Sequence, residues 1–301
     1  MLNPVKEIEK LKKERNAVIV AHNYQPDSVQ AIADYIGDSY GLSKKAAQLE
    51  EEIIVFCGVK FMAESAKIVS PEKTVLIPDI NAGCPMADMA DIESLIEIKR
   101  QHTDAAVASY VNSSAAVKSE SDICCTSSNA VKIVNSLPQE EIIFLPDKNL
   151  GDYVSKRTDK EIIFWEGFCP THHRVMLEDV KKSREIYADA PILAHPECRA
   201  EVLEKADYIG STAGILDYAK NSDAEKLIIG TEKGLLYRLK EENPDKEFHL
   251  LSFQLICRNM KKTNLEKIFN SLKNMEGEIK IDEKIRIKAE KALQAMIELG
   301  E

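Results

Sequence analysis

The sequence predicts an α/β protein built from three similar modules. Short apolar runs rich in β-branched residues alternate with helical stretches along the 301-residue chain, as in AVIVAH (17–22), EIIVFCG (52–58) and TVLIPD (74–79). Strands that alternate with helices in this way are typical of parallel sheets. Polar strand ends and cysteines then recur at similar spacings, which indicates one small unit present in three copies.

The first strand of each module ends in two polar side chains separated by one residue. The pairs are His22 with Tyr24, Tyr110 with Asn112, and His195 with Glu197. Their first members lie 88 and 85 residues apart. Ligands bind beyond the carboxyl ends of parallel strands. Three three-layer α/β modules with pseudo-threefold symmetry would therefore bring these side chains to one central site.

Two further sets of strand ends are matched between the modules. The ends of the second strands correspond at Cys57, Cys125 and Gly210. The residues that follow the third strands correspond at Asp79, Asp147 and Glu232. In both sets the offsets are 68 and 85 residues, and we attribute the shorter one to a longer first crossover at 27–48. The three carboxylates lie among turn residues, so we predict that they cap turns.

A cysteine closes each module, and these cysteines set the expected boundaries. They are Cys84, Cys169 and Cys257, which lie 85 and 88 residues apart. We expect modules at 1–84, which includes an N-terminal helix, 85–169 and 170–260, with C-terminal helices at 261–301 packed on them. Three equivalent thiolates can hold one face of an iron–sulfur cube with an open fourth iron, or a zinc ion. The spacing does not decide between these metals.

The other four cysteines, at positions 57, 124, 125 and 198, are predicted to be buried core residues. Forty Lys and Arg against fifty Asp and Glu give a net charge of −10, which argues against nucleic-acid partners. No run approaches the ~20 apolar residues that a membrane span needs. The N-terminal sequence MLNPVKEIEKLKKER is charged and lacks an apolar signal core. We therefore expect a cytoplasmic protein with no disulfide scaffold.

Eleven segments, in order, resemble the quinolinate synthase family, from about residue 14 to residue 270. They are AHNYQ (21–25), CGVKFMAESAKI (57–68), IPDINAGCPMAD (77–88), SYVNSSAAVK (109–118), CTSSNA (125–130), FLPDKNLG (144–151), WEGFC (165–169), AHPEC (194–198), GSTAGI (210–215), GTEKGLL (230–236) and CRNMKKTNLEKI (257–268). The resemblance implies three related α/β domains and a [4Fe–4S] cluster held by Cys84, Cys169 and Cys257. The chain departs from the common pattern at His173, so the roles of His172 and His173 stay open.

The resemblance also implies a reaction. The family condenses iminoaspartate with dihydroxyacetone phosphate to give quinolinate, a precursor of NAD, with loss of phosphate and two waters. The expected partners are these two small molecules, with iminoaspartate supplied by an aspartate-oxidising enzyme. The chemistry needs a base, donors for two carboxylates and a phosphate, and a Lewis acid, which an open iron supplies.

We predict Glu197 as the general base, with a pKa raised by partial desolvation. Tyr24, Tyr110 and His195 complete the predicted catalytic set, and Tyr24 is expected to protonate or hydrogen-bond a substrate oxygen. The predicted substrate-binding residues are His22, Ser39, Tyr110, Asn112, Ser127, His195, Glu197 and Thr212. Ser127 and Thr212 precede helices whose N-termini attract anions, which reconciles an anionic substrate with the acidic chain. Simple N-capping is the alternative role of both hydroxyls.

Three other interpretations remain open from the residues. One is a cluster-dependent dehydratase that acts, like aconitase, on a hydroxy acid. Another is a non-catalytic thiolate-metal sensor, although no basic patch or interaction tail is visible in the sequence. The third places zinc at the three thiolates, and this predicts a colourless protein.

Overall fold

The computed structural model describes residues 4–299 and contains three sheets of four strands each, all parallel. The first sheet contains β1 (Ala17–His22), β2 (Tyr35–Gly37), β3 (Ile53–Cys57) and β4 (Thr74–Leu76). The second contains β5 (Ala106–Tyr110), β6 (Ile123–Cys125), β7 (Glu141–Leu145) and β8 (Glu161–Phe164). The third contains β9 (Ile192–Ala194), β10 (Tyr208–Ile209), β11 (Lys226–Gly230) and β12 (Glu247–Leu250). The predicted α/β class and the three similar modules are confirmed.

Helices alternate with these strands along the chain. The first module has α1 (Pro4–Glu14), α2 (Asp27–Gln30), α3 (Ser39–Ala46) and α4 (Lys60–Val69). A short 3₁₀ helix (Ala87–Met89) then precedes α5 (Ile92–Gln101), α6 (Ala115–Ser119), α7 (Ala130–Ser136) and α8 (Lys148–Ser155). The last third has α9 (Pro170–His173), α10 (Leu177–Ile186), α11 (Ala200–Leu203), α12 (Thr212–Asn221) and α13 (Leu235–Glu242), followed by α14 (Leu265–Asn274) and α15 (Glu283–Leu299).

The strand order is the same in each sheet: second, first, third, fourth. The orders are β2-β1-β3-β4, β6-β5-β7-β8 and β10-β9-β11-β12. The chain therefore leaves the first strand on one side and returns on its other side with the third strand. The carboxyl ends of the first and third strands meet at this reversal, which is where open α/β sheets bind ligands.

Both faces of each sheet are buried, because successive strand residues point into different apolar cores. In β1, Val18 and Val20 pack in one core, whereas Ile19 and Ala21 pack in another. The same alternation divides β7 and β11 between separate cores. Each module thus has helices on two sides of its sheet, as in a three-layer sandwich.

The C-terminal helices pack on the first two modules. Helix α14 contacts α1 and β3, and α15 contacts α4, α6 and β6. Leu293 and Met296 of α15 lie in the same core as residues of β1 and β5. The first two modules therefore share a core, which α15 helps to close.

The predicted strand matches in the first module are wrong by one strand. The second strand of that module is β2, so β3, which ends at Cys57, is the third strand. Val59, rather than Asp79, then corresponds to Asp147 and Glu232, and the offsets become 88 and 85 residues, as for the first strands. Strand β2 was not predicted because it has only three residues, all at least partly exposed, and no apolar run marks it.

Each sheet lies within one of the expected ranges 1–84, 85–169 and 170–260, and the boundaries themselves stay predictions. No helix within residues 4–299 is long and apolar enough to cross a membrane.

Candidate active site

One cavity lies at the carboxyl ends of strands from all three sheets. All twelve residues predicted for the site lie in its lining: His22, Tyr24, Ser39, Cys84, Tyr110, Asn112, Ser127, Cys169, His195, Glu197, Thr212 and Cys257. The modules therefore bring these side chains together as the repeat predicts. Their individual chemical roles stay predictions.

Two imidazoles in the lining are held by the backbone of their own loops. Nδ1 of His22 accepts the N–H of Tyr24 at 3.1 Å, and Nδ1 of His195 accepts the N–H of Glu197 at 3.3 Å. Burial lowers the pKa of both histidines to about 3, although the charge of Glu197 opposes this. Both rings are therefore neutral at pH 7 and carry their proton on Nε2. Nε2 of His195 lies 3.2 Å from the Ser127 hydroxyl.

Glu197 is a buried carboxylate, with 3% of its surface exposed. Its Oε1 accepts the Tyr110 hydroxyl at 2.7 Å, and its Oε2 lies 2.6 Å from Nδ1 of His172. Burial raises the pKa of Glu197, but the hydrogen bonds that its carboxylate accepts from His172 and Tyr110 outweigh burial and hold the pKa well below its usual range. The predicted raised pKa is therefore wrong, because these partners come from distant parts of the chain.

A hydrogen-bonded chain connects Glu197 to Tyr24. The Tyr24 hydroxyl lies 2.6 Å from Oγ1 of Thr231, which lies 2.9 Å from Nε2 of His172. One direction satisfies every atom: Tyr24 donates to Thr231, Thr231 donates to His172, and Nδ1–H of His172 donates to Glu197. Burial, and after it the charge of Glu197, raise the pKa of Tyr24 and of Tyr110 well above the ordinary value. Both phenols therefore remain protonated.

His172 and Thr231 were not among the predicted site residues, yet they occupy the middle of this chain. His172 is 1% exposed and its ring stacks on that of His195 with centroids 4.7 Å apart. The structure thus gives the position of His172, which lies between Thr231 and Glu197. His173 lies apart from the chain, against Phe168 and Asn149.

Tyr24 is placed by a close approach between the first and third modules. A Cβ on Gly234 would lie 2.7 Å from the backbone of Tyr24, so a glycine is required at this contact. The Gln30 amide donates to the carbonyls of both Gln25 and Gly234 at 2.9 Å, and Lys261 donates to the Tyr24 carbonyl at 2.5 Å. These contacts fix the loop that carries the phenol.

The hydroxyls of Ser127 and Thr212 are not helix caps, so the capping alternative is wrong for both. Helix α12 is capped by Ser211, whose side chain accepts the N–H of Gly214 at 3.2 Å, and the N-cap of α7 is Asn129. Thr212 accepts the Asn23 amide at 3.1 Å, and Ser127 pairs with His195. Both residues line the cavity, so their hydroxyls are available to a ligand.

Two buried polar atoms of the lining have no hydrogen-bond partner among residues 4–299: Oδ1 of Asn112 and the hydroxyl of Tyr40. Native proteins rarely leave such atoms unpaired, so each is a contact available to a ligand. The lining formed by the described residues includes no Lys or Arg. Anionic groups would therefore be bound by hydroxyls, by imidazole N–H groups and by the N–H groups at helix starts.

The three predicted ligand cysteines reach the cavity in equivalent loops. In each module the N–H of the third residue after the third strand donates to the carbonyl two residues before the cysteine. These bonds are Lys60 to Ala82 at 2.8 Å, Lys148 to Gly167 at 2.9 Å, and Lys233 to Leu255 at 2.9 Å. A Cβ on Gly167 would lie 2.3 Å from the Pro146 carbonyl oxygen, so the second loop needs a glycine there.

Burial raises the pKa of all three thiols, to about 12 for Cys84. A backbone N–H three residues later opposes burial in each case, from Ala87, His172 and Met260. Cys257 raises the pKa of Cys84, and Cys84 raises that of Cys169, so the sulfurs are close enough to interact. Three thiols that face N–H donors suit a thiolate-bound metal centre, whose charge displaces the protons.

A second set of donors shares one of these sulfurs. Ligand atoms of Cys169, His172 and Glu197 all lie within 4.8 Å of one another. Nδ1 of His172 lies 3.3 Å from Sγ of Cys169 as well as 2.6 Å from the Glu197 carboxylate. An ion bound by all three would break the His172–Glu197 hydrogen bond, whereas the three cysteines leave the chain intact. The other four cysteines, at 57, 124, 125 and 198, are buried in the cores as predicted.

Three parallel sheets place titratable side chains and thiols around one cavity, as expected of an α/β enzyme with three modules. Residues 6–298 match the family model described as quinolinate synthetase A protein. The chain is 56% identical over 291 residues to the quinolinate synthase of Geobacter sp. (strain M21), covering 97% of this chain and 96% of that one. It is 55% identical over 296 residues to the quinolinate synthase of Caldicellulosiruptor saccharolyticus, covering 98% of each, and 53% identical over 293 residues to quinolinate synthase 1 of Methanosarcina acetivorans, covering 97% and 96%. The chain belongs to the quinolinate synthetase A family.

Proposed function

We propose that the protein condenses iminoaspartate with dihydroxyacetone phosphate to form quinolinate in de novo NAD biosynthesis. The observation that carries this proposal is the convergence of three thiols and an acid–base chain on one cavity, in a chain whose relatives bear the name quinolinate synthase. The balance is redox-neutral: the two substrates give quinolinate, one phosphate and two waters. An aspartate-oxidising enzyme would supply iminoaspartate, and we propose that both act in the cytoplasm.

The cavity offers groups for each part of these substrates. Two carboxylates and one phosphate need donors, and the lining provides hydroxyls at Ser39, Ser127 and Thr212 together with the imidazole N–H groups. The unpaired Oδ1 of Asn112 is an acceptor and suits the substrate nitrogen, which carries hydrogen in iminoaspartate. Neutral donors suffice here because each works in a buried site of low dielectric.

The hydrogen-bonded chain supplies protons at one end and accepts them at the other. Tyr24 is a protonated phenol that can give its proton to a substrate oxygen, and it regains one through Thr231 from His172. Glu197 is ionised and can accept a proton that the substrate loses. The return of a proton from Glu197 to Tyr24 requires the other tautomer of His172, in which Nδ1 accepts from the protonated Glu197 and Nε2–H donates to Thr231. Thr231 then gives its proton to the Tyr24 phenolate, and the transfer restores the resting direction of the chain.

The low pKa of Glu197 in the free protein makes this carboxylate a weak base before substrate binds. A bound dicarboxylate would place like charge beside Glu197, and like charge raises the pKa of a carboxyl group. Substrate binding would therefore bring the base closer to the strength that proton transfer near neutral pH requires.

We propose that Cys84, Cys169 and Cys257 hold a [4Fe–4S] cluster. The equivalent loops, the N–H groups aimed at the sulfurs and the interaction between the sulfurs support this assignment. When bound, such a cluster supplies a Lewis acid that assists loss of hydroxide. The surrounding residues bind the carboxylates, orient the reacting carbons and move the protons.

The test is product formation by anaerobically prepared, iron-loaded protein. With both substrates present we expect quinolinate and phosphate in a 1:1 ratio, and with either substrate omitted we expect neither product. A dehydratase would instead convert a hydroxy acid without the triose phosphate. Iron-loaded protein that binds both substrates and releases no quinolinate would contradict the proposal.

A further inference from the structure

Two buried carboxylates connect the third strands of their modules to the cysteine loops. Asp147 follows β7, and its Oδ2 accepts the N–H of Cys169 at 3.1 Å. Glu232 follows β11, and its Oε1 accepts the N–H of Cys257 at 3.0 Å. Both side chains are 0% exposed. The two contacts occur at positions that correspond in strand order, so they are a repeated feature of the fold.

The second oxygen of each carboxylate holds the start of the following helix. Oδ1 of Asp147 accepts the N–H groups of Asn149 at 2.8 Å and of Leu150 at 2.9 Å. Oε2 of Glu232 accepts the N–H of Gly234 at 2.6 Å and also pairs with the Lys261 ammonium at 3.0 Å. Bonds from N–H groups to a carboxylate are roughly twice as strong as neutral ones. Each carboxylate therefore ties a cysteine amide to a rigid strand–helix junction.

The first module lacks this device. Val59 occupies the corresponding position, and its apolar side chain, 2% exposed, offers no acceptor to the Cys84 loop. The first loop keeps the backbone hydrogen bond from Lys60 to Ala82, which has an equivalent in the other two loops. The three cysteines are thus equivalent in backbone position but are anchored in two different ways.

We propose that Asp147 and Glu232 are positioning residues for the metal centre: they hold the Cys169 and Cys257 loops in the conformation that binds metal. Turn capping, the role predicted from sequence, accounts for one oxygen of each side chain, and cysteine positioning accounts for the other. The inference rests on the proposed three-cysteine centre.

Asp147→Asn and Glu232→Gln test it with almost no change of shape. Asp147 and Glu232 accept N–H donors on both oxygens, whereas an amide has one oxygen and an NH₂ group. The NH₂ group would face a backbone N–H, so one side of each bridge is lost. Asp79→Asn is the matched control, because Asp79 also caps a turn, at the N–H of Asn81 at 2.9 Å, but its other oxygen pairs with Lys267.

Iron release to an excess of a strong chelator, followed anaerobically by absorbance, is the first readout. Losing an outer-shell partner of a metal ligand lowers metal affinity about 10–100-fold. We expect iron to leave Asp147→Asn and Glu232→Gln at least about tenfold faster than the wild type. Asp79→Asn should stay within about twofold of the wild type.

Resonance Raman bands of the iron–cysteine bonds are the second readout, since they follow the orientation of the sulfur. We expect shifted bands in Asp147→Asn and Glu232→Gln and wild-type bands in Asp79→Asn. Thermal unfolding of the metal-free forms identifies any variant that is merely less stable.

The outcomes separate this inference from the proposed function. If wild type and Asp79→Asn both fail to bind iron at the cysteines, the proposed centre is wrong. If they bind it and the two bridge variants release it at the wild-type rate, the positioning role is wrong. Faster release with unchanged Raman bands and a lower unfolding temperature would reduce the carboxylates to a structural role and also overturn the inference.

Discussion

The change Thr231→Val removes one hydroxyl from the middle of the hydrogen-bonded chain and keeps the volume of the side chain. Thr231 is 0% exposed, and its hydroxyl bonds Tyr24 at 2.6 Å and His172 at 2.9 Å. The variant therefore separates the phenol from the imidazole without removing either group. Tyr24 keeps its raised pKa but loses the route by which its proton is replaced.

His172 is buried, so it loses a hydrogen bond that water cannot fully replace, whereas Tyr24 is only partly buried. Leaving one buried acceptor unpaired costs about 1–3 kcal/mol, and we expect a loss of this size in the free energy of unfolding. Positioned acid–base groups contribute about 10²–10⁴-fold to a rate, and we expect kcat for quinolinate to fall by at least about 10²-fold.

Thr231→Ser is the matched control, because it loses a methyl group and keeps the hydroxyl. The assay measures kcat and KM for quinolinate formation with the same iron content in both variants, together with denaturant unfolding of the metal-free forms. We expect Thr231→Ser to stay within about tenfold of the wild type, since it keeps both hydrogen bonds. Thr231→Val with the kcat of Thr231→Ser would refute the proton route through this hydroxyl.

Three further predictions concern the same cavity. Glu197→Gln should lower kcat by about 10²–10⁴-fold at unchanged iron content, and a near-wild-type rate in the product assay would exclude Glu197 as the base. The pKa of His22 and of His195, about 3 because of burial, predicts that the NMR signals of these two imidazoles do not titrate between pH 8 and pH 5 in the metal-free protein, and a midpoint near 6.5 for either would contradict it. The unfolded chain protonates these two histidines near pH 6.5, whereas the folded protein does so only near pH 3. The contribution of the two neutral imidazoles to the free energy of unfolding is therefore complete above pH 6.5 and is lost as the pH falls toward 3. Gly234→Ala should lower kcat at least about tenfold, because the new Cβ would lie 2.7 Å from the backbone of Tyr24 and displace this residue. An unchanged kcat would show that the structure accommodates the methyl group without moving the phenol.

The repeat in the sequence was sufficient to predict the cavity, because side chains at the ends of equivalent strands must face the same region. It failed at β2, a short and partly exposed strand that carries no apolar signal. That failure shifted the strand matches and paired Asp79 with Asp147 and Glu232. The corrected match places Val59 there instead, and only then does the difference between the cysteine loops become visible.

Two members of the hydrogen-bonded chain could not be predicted from the repeat. The residues that correspond to Thr231 in the other modules are Gly58 and Pro146, which carry no hydroxyl. A histidine lies three residues after the cysteine in the second module only, where it is His172. The direction of the pKa shift of Glu197 could not be predicted from the sequence either, since it depends on which side chains surround the carboxylate after folding. Burial alone would have given the opposite sign.

The most direct measurement is the number of iron and sulfide ions per chain after anaerobic purification. We predict about four of each in the wild type, as a [4Fe–4S] cluster requires, and loss of the intact cluster in Cys84→Ala, Cys169→Ala and Cys257→Ala. Cys124→Ala is the control and should keep the wild-type content, because Cys124 is 0% exposed within the apolar core. Zinc in place of iron, or a full cluster in any of the first three variants, would contradict a centre built on the three module-closing cysteines.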